Sequence, residues 1–395
     1  MAFNKYPENL CYAPFTQFTM DANLNASPCP ALGGSTWNFS GQELQHVWTS
    51  DTLNQFREHM LNNGKHAVCK RCWDEESVGF TSERLKINSQ EHSKDLLNYK
   101  KGPEWLILKI SNICNLRCRS CNGADSVTLS VEGKQYAKIP EWKDNFYIKE
   151  TKRKEFTNEQ IDEIVAWSGN LKRLEIYGGE PLLDVQTFNL LGKLVDTGRA
   201  REIQINISTN ITHRLSQEQI NMLKQFNHVN INLSIDGWGD RFEYLRHPGK
   251  WQEVYENIKW FVALTDSKQI NSTILPVCTV TAMNVYYIGE LADNLYNEFN
   301  LKPYYILSTF PKYYSIFNIP ESIGLNVARH LDKHTTTDLT AIKNALSQPG
   351  NKEWWEKFWK WNNMVDAYRK EKFSNVFPEY YAILEKNTED LGNYI

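Results

Sequence analysis

The sequence predicts an α/β protein built on an open, partial (β/α)6 barrel, with a cysteine-rich segment before it and a helical extension after it. Three observations carry this prediction. From about residue 104 to 310, short apolar runs alternate with stretches of helical periodicity, the signature of a parallel sheet with helical crossovers. Six such units fit, rather than the eight of a closed (β/α)8 barrel. Outside that region the pattern changes, which divides the chain into 1–100, 101–310 and 311–395.

Residues 1–100 hold Cys11, Cys29, Cys69 and Cys72 among many turn residues, and end in the polar stretch Asn-Ser-Gln-Glu-His-Ser-Lys, which reads as a linker. Within them, Phe-Thr-Gln-Phe-Thr-Met-Asp, an Asn-containing turn and Ala-Ser-Pro-Cys-Pro predict a hairpin, followed by a helix over about 51–63. The barrel strands are expected at 105–110, 173–177, 203–208, 231–235, 274–280 and 304–307. Helices are expected at 157–168, 184–197, 216–226 and 251–264, several opening on a capping residue. The last 85 or so residues read as mainly helical. Their segment Glu-Trp-Trp-Glu-Lys-Phe-Trp-Lys-Trp (353–361) is expected to pack as an amphipathic helix on the barrel, since aromatics at helical spacing are usually core.

Composition narrows the function classes. Net charge is −3, from 44 basic and 47 acidic residues, so the chain lacks the positive field that long nucleic acid requires. No signal-type run opens the sequence and no apolar window of membrane-spanning length occurs in it. A cytoplasmic protein without a membrane partner is expected. Eight cysteines in a reducing compartment argue for metal or redox chemistry rather than disulfides.

Three of them, Cys114, Cys118 and Cys121, lie in Ile-Cys-Asn-Leu-Arg-Cys-Arg-Ser-Cys, just after the first barrel strand. That rim is where α/β folds place their chemistry. A closed zinc site needs a fourth ligand, and the nearest histidine, His92, lies in the linker. Three thiolates on one short loop suit a [4Fe-4S] cluster whose fourth iron is open to another ligand.

The C-x3-C-x2-C spacing after a strand resembles the radical S-adenosylmethionine (SAM) superfamily. The resemblance implies that Cys114, Cys118 and Cys121 hold the catalytic cluster and that SAM chelates its open iron. Reductive cleavage of SAM would then give a 5′-deoxyadenosyl radical that abstracts a hydrogen atom from substrate. Ser120 departs from the family, which commonly places an aromatic or large apolar residue before the last cysteine.

After the second barrel strand comes Tyr-Gly-Gly-Glu-Pro. Two glycines let backbone approach a ligand, and the carboxylate can accept from an ammonium group; as residues alone they serve equally as a strand-ending turn. The resemblance implies that Gly178, Gly179, Glu180 and Pro181 position the SAM amino group. It further suggests Ser208 and Asn210 near the ribose or carboxylate, and Arg246, in Tyr-Leu-Arg-His-Pro-Gly, opposite the carboxylate. Asp236 lies on the same rim, but no residue is identified as the hydrogen donor or general base. Cys278, inside an apolar strand, reads as a buried hydrophobe.

The four N-terminal cysteines satisfy the ligand count of a zinc site or of a second, fully ligated [4Fe-4S] cluster, and spacing does not separate these. Cys11-Tyr-Ala-Pro-Phe, Ser-Pro-Cys29 and Cys69-Lys-Arg-Cys72 resemble the SPASM/twitch module, which carries auxiliary clusters and usually follows the barrel. Four cysteines match the one-cluster twitch type. Asp366 to Arg369, followed by Phe-Pro-Glu, is a further, weaker likeness to twitch sequences. Together the resemblances imply a peptide or protein substrate, an auxiliary [4Fe-4S] cluster that accepts an electron, and an external donor such as flavodoxin or ferredoxin. Two alternatives stand beside this: a radical SAM enzyme for a nucleotide or other small molecule, and a non-catalytic zinc or iron-sulfur adaptor.

Overall fold

The computed structural model describes residues 8–32, 37–38, 42–90, 96–143 and 152–386. Its centre is one nine-stranded sheet in the order β3-β2-β1-β4-β5-β6-β7-β8-β9. The strands are β1 (Gln17–Asp21), β2 (Asn25–Ser27), β3 (Trp37–Asn38), β4 (Trp105–Lys109), β5 (Arg173–Tyr177), β6 (Gln204–Thr209), β7 (His228–Ser234), β8 (Ser272–Val280) and β9 (Tyr304–Leu307). All six expected barrel strands are present, as β4 to β9, and they pair in parallel in sequence order. The expected hairpin is β1 and β2, paired antiparallel.

One pairing exceeds the prediction. Strand β1 lies parallel to β4, in register from Gln17 opposite Trp105 to Asp21 opposite Lys109. The parallel part of the sheet therefore has seven strands, its first supplied by the N-terminal segment. Hydrophobic alternation marks a strand but carries no record of which distant strand it joins.

Alternation along β5, β6 and β7 places Leu174, Ile176, Ile205, Ile207, Val229, Ile231 and Leu233 in the core beneath the helices. Their neighbours Glu175, Asn206 and Asn230 turn to the concave face and are half-buried there. The crossover helices begin where capping chemistry predicts. Thr157 opens Asn158–Trp167 and Ser216 opens Gln217–Leu223, each completing a capping box with a Gln at the third helical position. Asp184 caps Val185–Asp196. Backbone donors at these starts thus gain an acceptor that the helix itself cannot supply.

The N-terminal segment packs on the barrel through an aromatic knot. Phe18 of β1 meets Trp48 at 5.5 Å and Trp167 at 5.6 Å between ring centroids. Arg57 is buried against the faces of Trp48 and Tyr99 and donates to the carbonyls of Pro14 and Trp48. Downstream, the expected tryptophan-rich helix forms as Lys352–Arg369, burying Trp355, Phe358, Trp359 and Trp361. No helix among the described residues is long and apolar enough to cross a membrane.

Candidate active site and auxiliary cluster site

The loop bearing Cys114, Cys118 and Cys121 leaves the rim of β4 and is pinned by backbone on both sides. Arg117 and Arg119 donate their amides to the carbonyls of His247 and Leu245 at 2.6 and 2.8 Å. On the other side, Glu180 N donates to Ile113 O at 2.7 Å and Gly179 N to Asp125 O at 3.1 Å. Gly179 has φ +56°, and a Cβ there would stand 2.5 Å from Ile113 O, so a side chain would drive the two loops apart. Gly178, at φ +81°, leaves room for Lys109, whose Cγ would lie 2.8 Å from an added Cβ. The glycines of Gly-Gly-Glu-Pro thus hold the second strand's rim against the cysteine loop.

Burial raises all three thiols above their ordinary range, Cys114 to about 12. They also lie within electrostatic reach of one another, Cys114 beside Cys118 and Cys121 beside both. The structure therefore brings the trio together, as the spacing predicts.

The other expected site residues gather at this rim with different degrees of engagement. Asn210 places its side-chain amide 3.7 Å from Cys114 Sγ and 2.9 Å from Asn115 Oδ1. Glu180 is fully buried and accepts from Leu182 N at 3.0 Å, Thr209 Oγ1 at 2.8 Å and Asn210 N at 2.6 Å. Its carboxylate ties the rim of β5 to that of β6, while burial, working against those three donors, lifts its pKa to about 7. Pro181 is buried at the start of the 3-10 turn Pro181–Leu183. Ser208, on the concave face of β6, accepts from Asn232 at 3.4 Å. Arg246 is buried and pairs with Asp236 at 2.8 Å, and Asp236 also accepts from Thr279 N at 2.8 Å. The Arg246 Nε is buried without a hydrogen-bond partner among the described residues. Cys278 is fully buried inside β8, as its apolar surroundings predict. His92 lies outside the described residues.

Several residues at the site escaped sequence reading. Lys109, at the end of β4, pairs with Asp125 at 2.8 Å and stands 5.3 Å from the Tyr177 ring centroid. Burial alone would lower the Lys109 pKa, but Asp125 and Tyr177 raise it above the usual lysine range. A lysine closing an apolar strand carries no signal by itself; its partner lies sixteen residues away on the far side of the cysteine loop.

The second set of cysteines also converges. Cys11, Cys29, Cys69 and Cys72 line one cavity together with Trp73 and Arg84. The hairpin brings Cys29, the short helix Lys70–Ser77 brings Cys72, and the turn Ala67–Cys69 before it brings Cys69. Burial raises every one of the four, Cys11 to about 12 and Cys69 to about 11. Arg84 sits over Trp73 and is fixed to Glu76 at 2.6 Å, which places a cation at the cavity wall.

Family comparison bears on both sites. Residues 108–281 match the model of the radical SAM superfamily. The chain therefore carries a radical SAM domain. Residues 11–73 match an iron-sulfur cluster-binding domain, SPASM, which here precedes the radical SAM domain. Among curated proteins, a GTP 3′,8-cyclase of Desulforamulus reducens is 25% identical over 199 residues, 49% of this chain and 52% of that protein. The chain thus spans about half the length of that relative. Among solved structures, anSMEcpe with bound AdoMet aligns over 63% of this chain and 64% of its own, at 16% identity and a TM-score of 0.40. Streptococcus suis SuiB bound to S-adenosylmethionine aligns over 83% and 67%, at 15% identity and a TM-score of 0.34.

A radical SAM domain implies a [4Fe-4S] cluster and SAM, and a SPASM domain implies auxiliary iron-sulfur clusters. The residues present fit both groups. Thiols give up their protons when they ligate a metal, and three of them on one loop leave one coordination position for a non-protein ligand. The Arg246 Nε, which has no hydrogen-bond partner among the described residues, is a spare donor within electrostatic reach of Cys118. Among the described residues, no three His, Cys, Asp or Glu side chains crowd to the spacing of one mononuclear ion; a multi-atom cluster spaces its thiolates more widely.

Proposed function

We propose that this chain is a radical SAM enzyme that abstracts a hydrogen atom from a peptide or protein, with an auxiliary [4Fe-4S] cluster taking up the electron left on the substrate. The observation that carries the proposal is the convergence of two separate sets of thiols, three half-buried at the rim of β4 and four around one cavity of the N-terminal segment. When bound, the reduced catalytic cluster and SAM supply a strongly oxidising carbon radical, the hard chemistry that no side chain can provide.

The chain's own residues have the tasks of binding, orienting and excluding water. Cys114, Cys118 and Cys121 ligate the catalytic cluster. Gly178, Gly179 and Pro181 hold the backbone that faces the SAM amino group, and Glu180, spent on Thr209 and the Asn210 amide, fixes that backbone. Asn210, Ser208 and Arg246 complete the SAM site, with the Arg246 guanidinium oriented by Asp236. Cys11, Cys29, Cys69 and Cys72 ligate the auxiliary cluster fully, which suits electron transfer better than substrate binding. A cytoplasmic location and an external donor such as flavodoxin or ferredoxin belong to the same reading.

A second reading, a nucleotide or other small-molecule substrate, is favoured by the match to a GTP 3′,8-cyclase. The near-neutral charge of this chain is compatible with a single nucleotide, which needs no long basic groove.

The test uses anaerobically purified protein. Iron and sulfide are counted, and 5′-deoxyadenosine is measured after SAM and dithionite are added, in wild type and in Cys118→Ala. About eight irons per chain, with deoxyadenosine from wild type alone, is the expected result. Stimulation by added peptides, against stimulation by nucleoside triphosphates, then separates the two substrate classes. Zinc without iron, and no deoxyadenosine, would leave a metal-stabilised binding protein.

A further inference from the structure

The long helix Lys352–Arg369 lies outside both matched domains, yet it is bound to the cysteine loop through a network of buried charges. Arg119, between Cys118 and Cys121, is wholly buried; it pairs with Asp366 and Glu371, each at 2.5 Å. It also donates to Asn362 at 2.9 Å and lies 3.6 Å from the Tyr244 ring centroid. Asp366 is held in turn by Tyr244 at 2.8 Å and by the amide of Phe373 at 2.8 Å.

Three residues on, Arg369 reaches the same loop from the other side. It pairs with buried Glu132 at 2.8 Å and donates to Arg117 O at 2.6 Å. Its side chain is 2% exposed, and its Nη1 is buried with no hydrogen-bond partner among the described residues. With Trp361 and Val365, Arg369 lines a small cavity that Cys118 and Cys121 also line. A buried donor left unmatched is costly, and this one belongs to a residue that lines the same cavity as Cys118 and Cys121.

We propose that Arg369 is a positioning residue of the catalytic cluster: the long helix carries its guanidinium to the Cys118–Cys121 side, where it supplies positive charge and a hydrogen-bond donor to the cluster's sulfurs. The arginines 117, 119 and 369 are matched by Glu132, Asp366 and Glu371, so the knot is neutral as built, with His247 against Glu371 at 2.9 Å at its edge. Net charge and hydrogen bonds to sulfur are the main protein levers on an iron-sulfur potential. The helix thereby sets how readily the cluster accepts the one electron that a reductant such as dithionite delivers.

The inference rests on the assignment of a [4Fe-4S] cluster to Cys114, Cys118 and Cys121. Its test is a redox titration of the anaerobic holoenzyme followed by electron paramagnetic resonance, reading the part of the signal that SAM perturbs. Arg369→Gln removes a cation and should move that midpoint to a more negative potential. Asp366→Asn removes an anion beside Arg119 and should move it to a more positive one. Damage to the fold would shift both variants the same way or strip iron from both, so opposite shifts with iron content retained identify the electrostatic role. Arg369→Lys, which keeps the charge, should restore most of the midpoint. Should Arg369→Gln fail to fold, Asp366→Asn and Arg369→Lys still read the charge and the fork separately. Midpoints and signals equal to wild type in the variants that load with iron would overturn the inference. A wild type with no SAM-perturbed signal would instead refute the cluster assignment beneath it.

Discussion

At the scale of single residues, the cysteines proposed as cluster ligands were legible and their partners were not. Cys114, Cys118 and Cys121 announce themselves by local spacing, and Cys69 with Cys72 nearly so. Arg119 gives no such signal, because Asn362, Asp366 and Glu371 stand about 250 positions away in the chain. The same is true of Glu175, a charged residue in the middle of β5 on the concave face. Burial, with Glu83 close by, pushes its carboxyl up to about 7 from an ordinary value of 4.5. A carboxyl whose folded pKa lies above its unfolded one contributes stability that is complete below about 4.5 and is lost as pH rises through about 7. With partial exposure on the concave face allowed for, that contribution is about 2 kcal/mol. Glu175→Gln should therefore be about as stable as wild type at pH 4.5 and more stable at pH 8. Thermal unfolding of the loaded protein at the two pH values checks this, and a gain of equal size at both would show that ionisation is not the cause.

At the scale of elements, periodicity located every strand of the barrel, because burial of one sheet face against helices writes a two-residue alternation into the sequence. It did not show that β1 belongs to the same sheet. The hairpin Gln17–Ser27 looks like part of a separate small domain because its turn is local, whereas its parallel pairing with β4 bridges about ninety residues. That pairing joins the N-terminal segment to the barrel as one hydrogen-bonded unit, and Phe18 is the side chain at its centre, fully buried between Trp48 and Trp167. Phe18→Ala leaves a cavity in which neither tryptophan can relax without losing its other contact, and a cost of about 3–5 kcal/mol is expected. The unfolding transition should stay single and move to lower denaturant. Two separate transitions, with the tryptophans of the C-terminal helix unfolding at the wild-type midpoint, would show that the N-terminal segment folds independently of the barrel.

At the scale of the whole molecule, the β1–β4 pairing ties the two cysteine-bearing parts of the chain into one sheet. Tyr177, the last residue of β5, packs against the buried cluster that contains Cys11, Cys29 and Cys72. Lys109 stands 5.3 Å from the centroid of its ring and is tied to Asp125, which follows Cys121 by four residues. Tyr177 and Lys109 thus stand between the loop of Cys114, Cys118 and Cys121 and the N-terminal cysteines, where the proposed function would need an electron to pass. Permuting the SPASM domain to the front of the chain keeps this proximity because β1 is the strand beside β4. If the auxiliary site accepts electrons, its loss should spare the first half-reaction and abolish the second. Cys72→Ser is expected to lower iron from about eight to about four per chain. It should retain the signal that SAM perturbs, and go on forming deoxyadenosine with dithionite while yielding no oxidised substrate. Loss of all iron and of SAM cleavage would assign the N-terminal site a structural role instead, since the β1–β4 junction would then depend on its metal. Oxidised substrate formed at the wild-type rate would remove the auxiliary cluster from the electron path altogether.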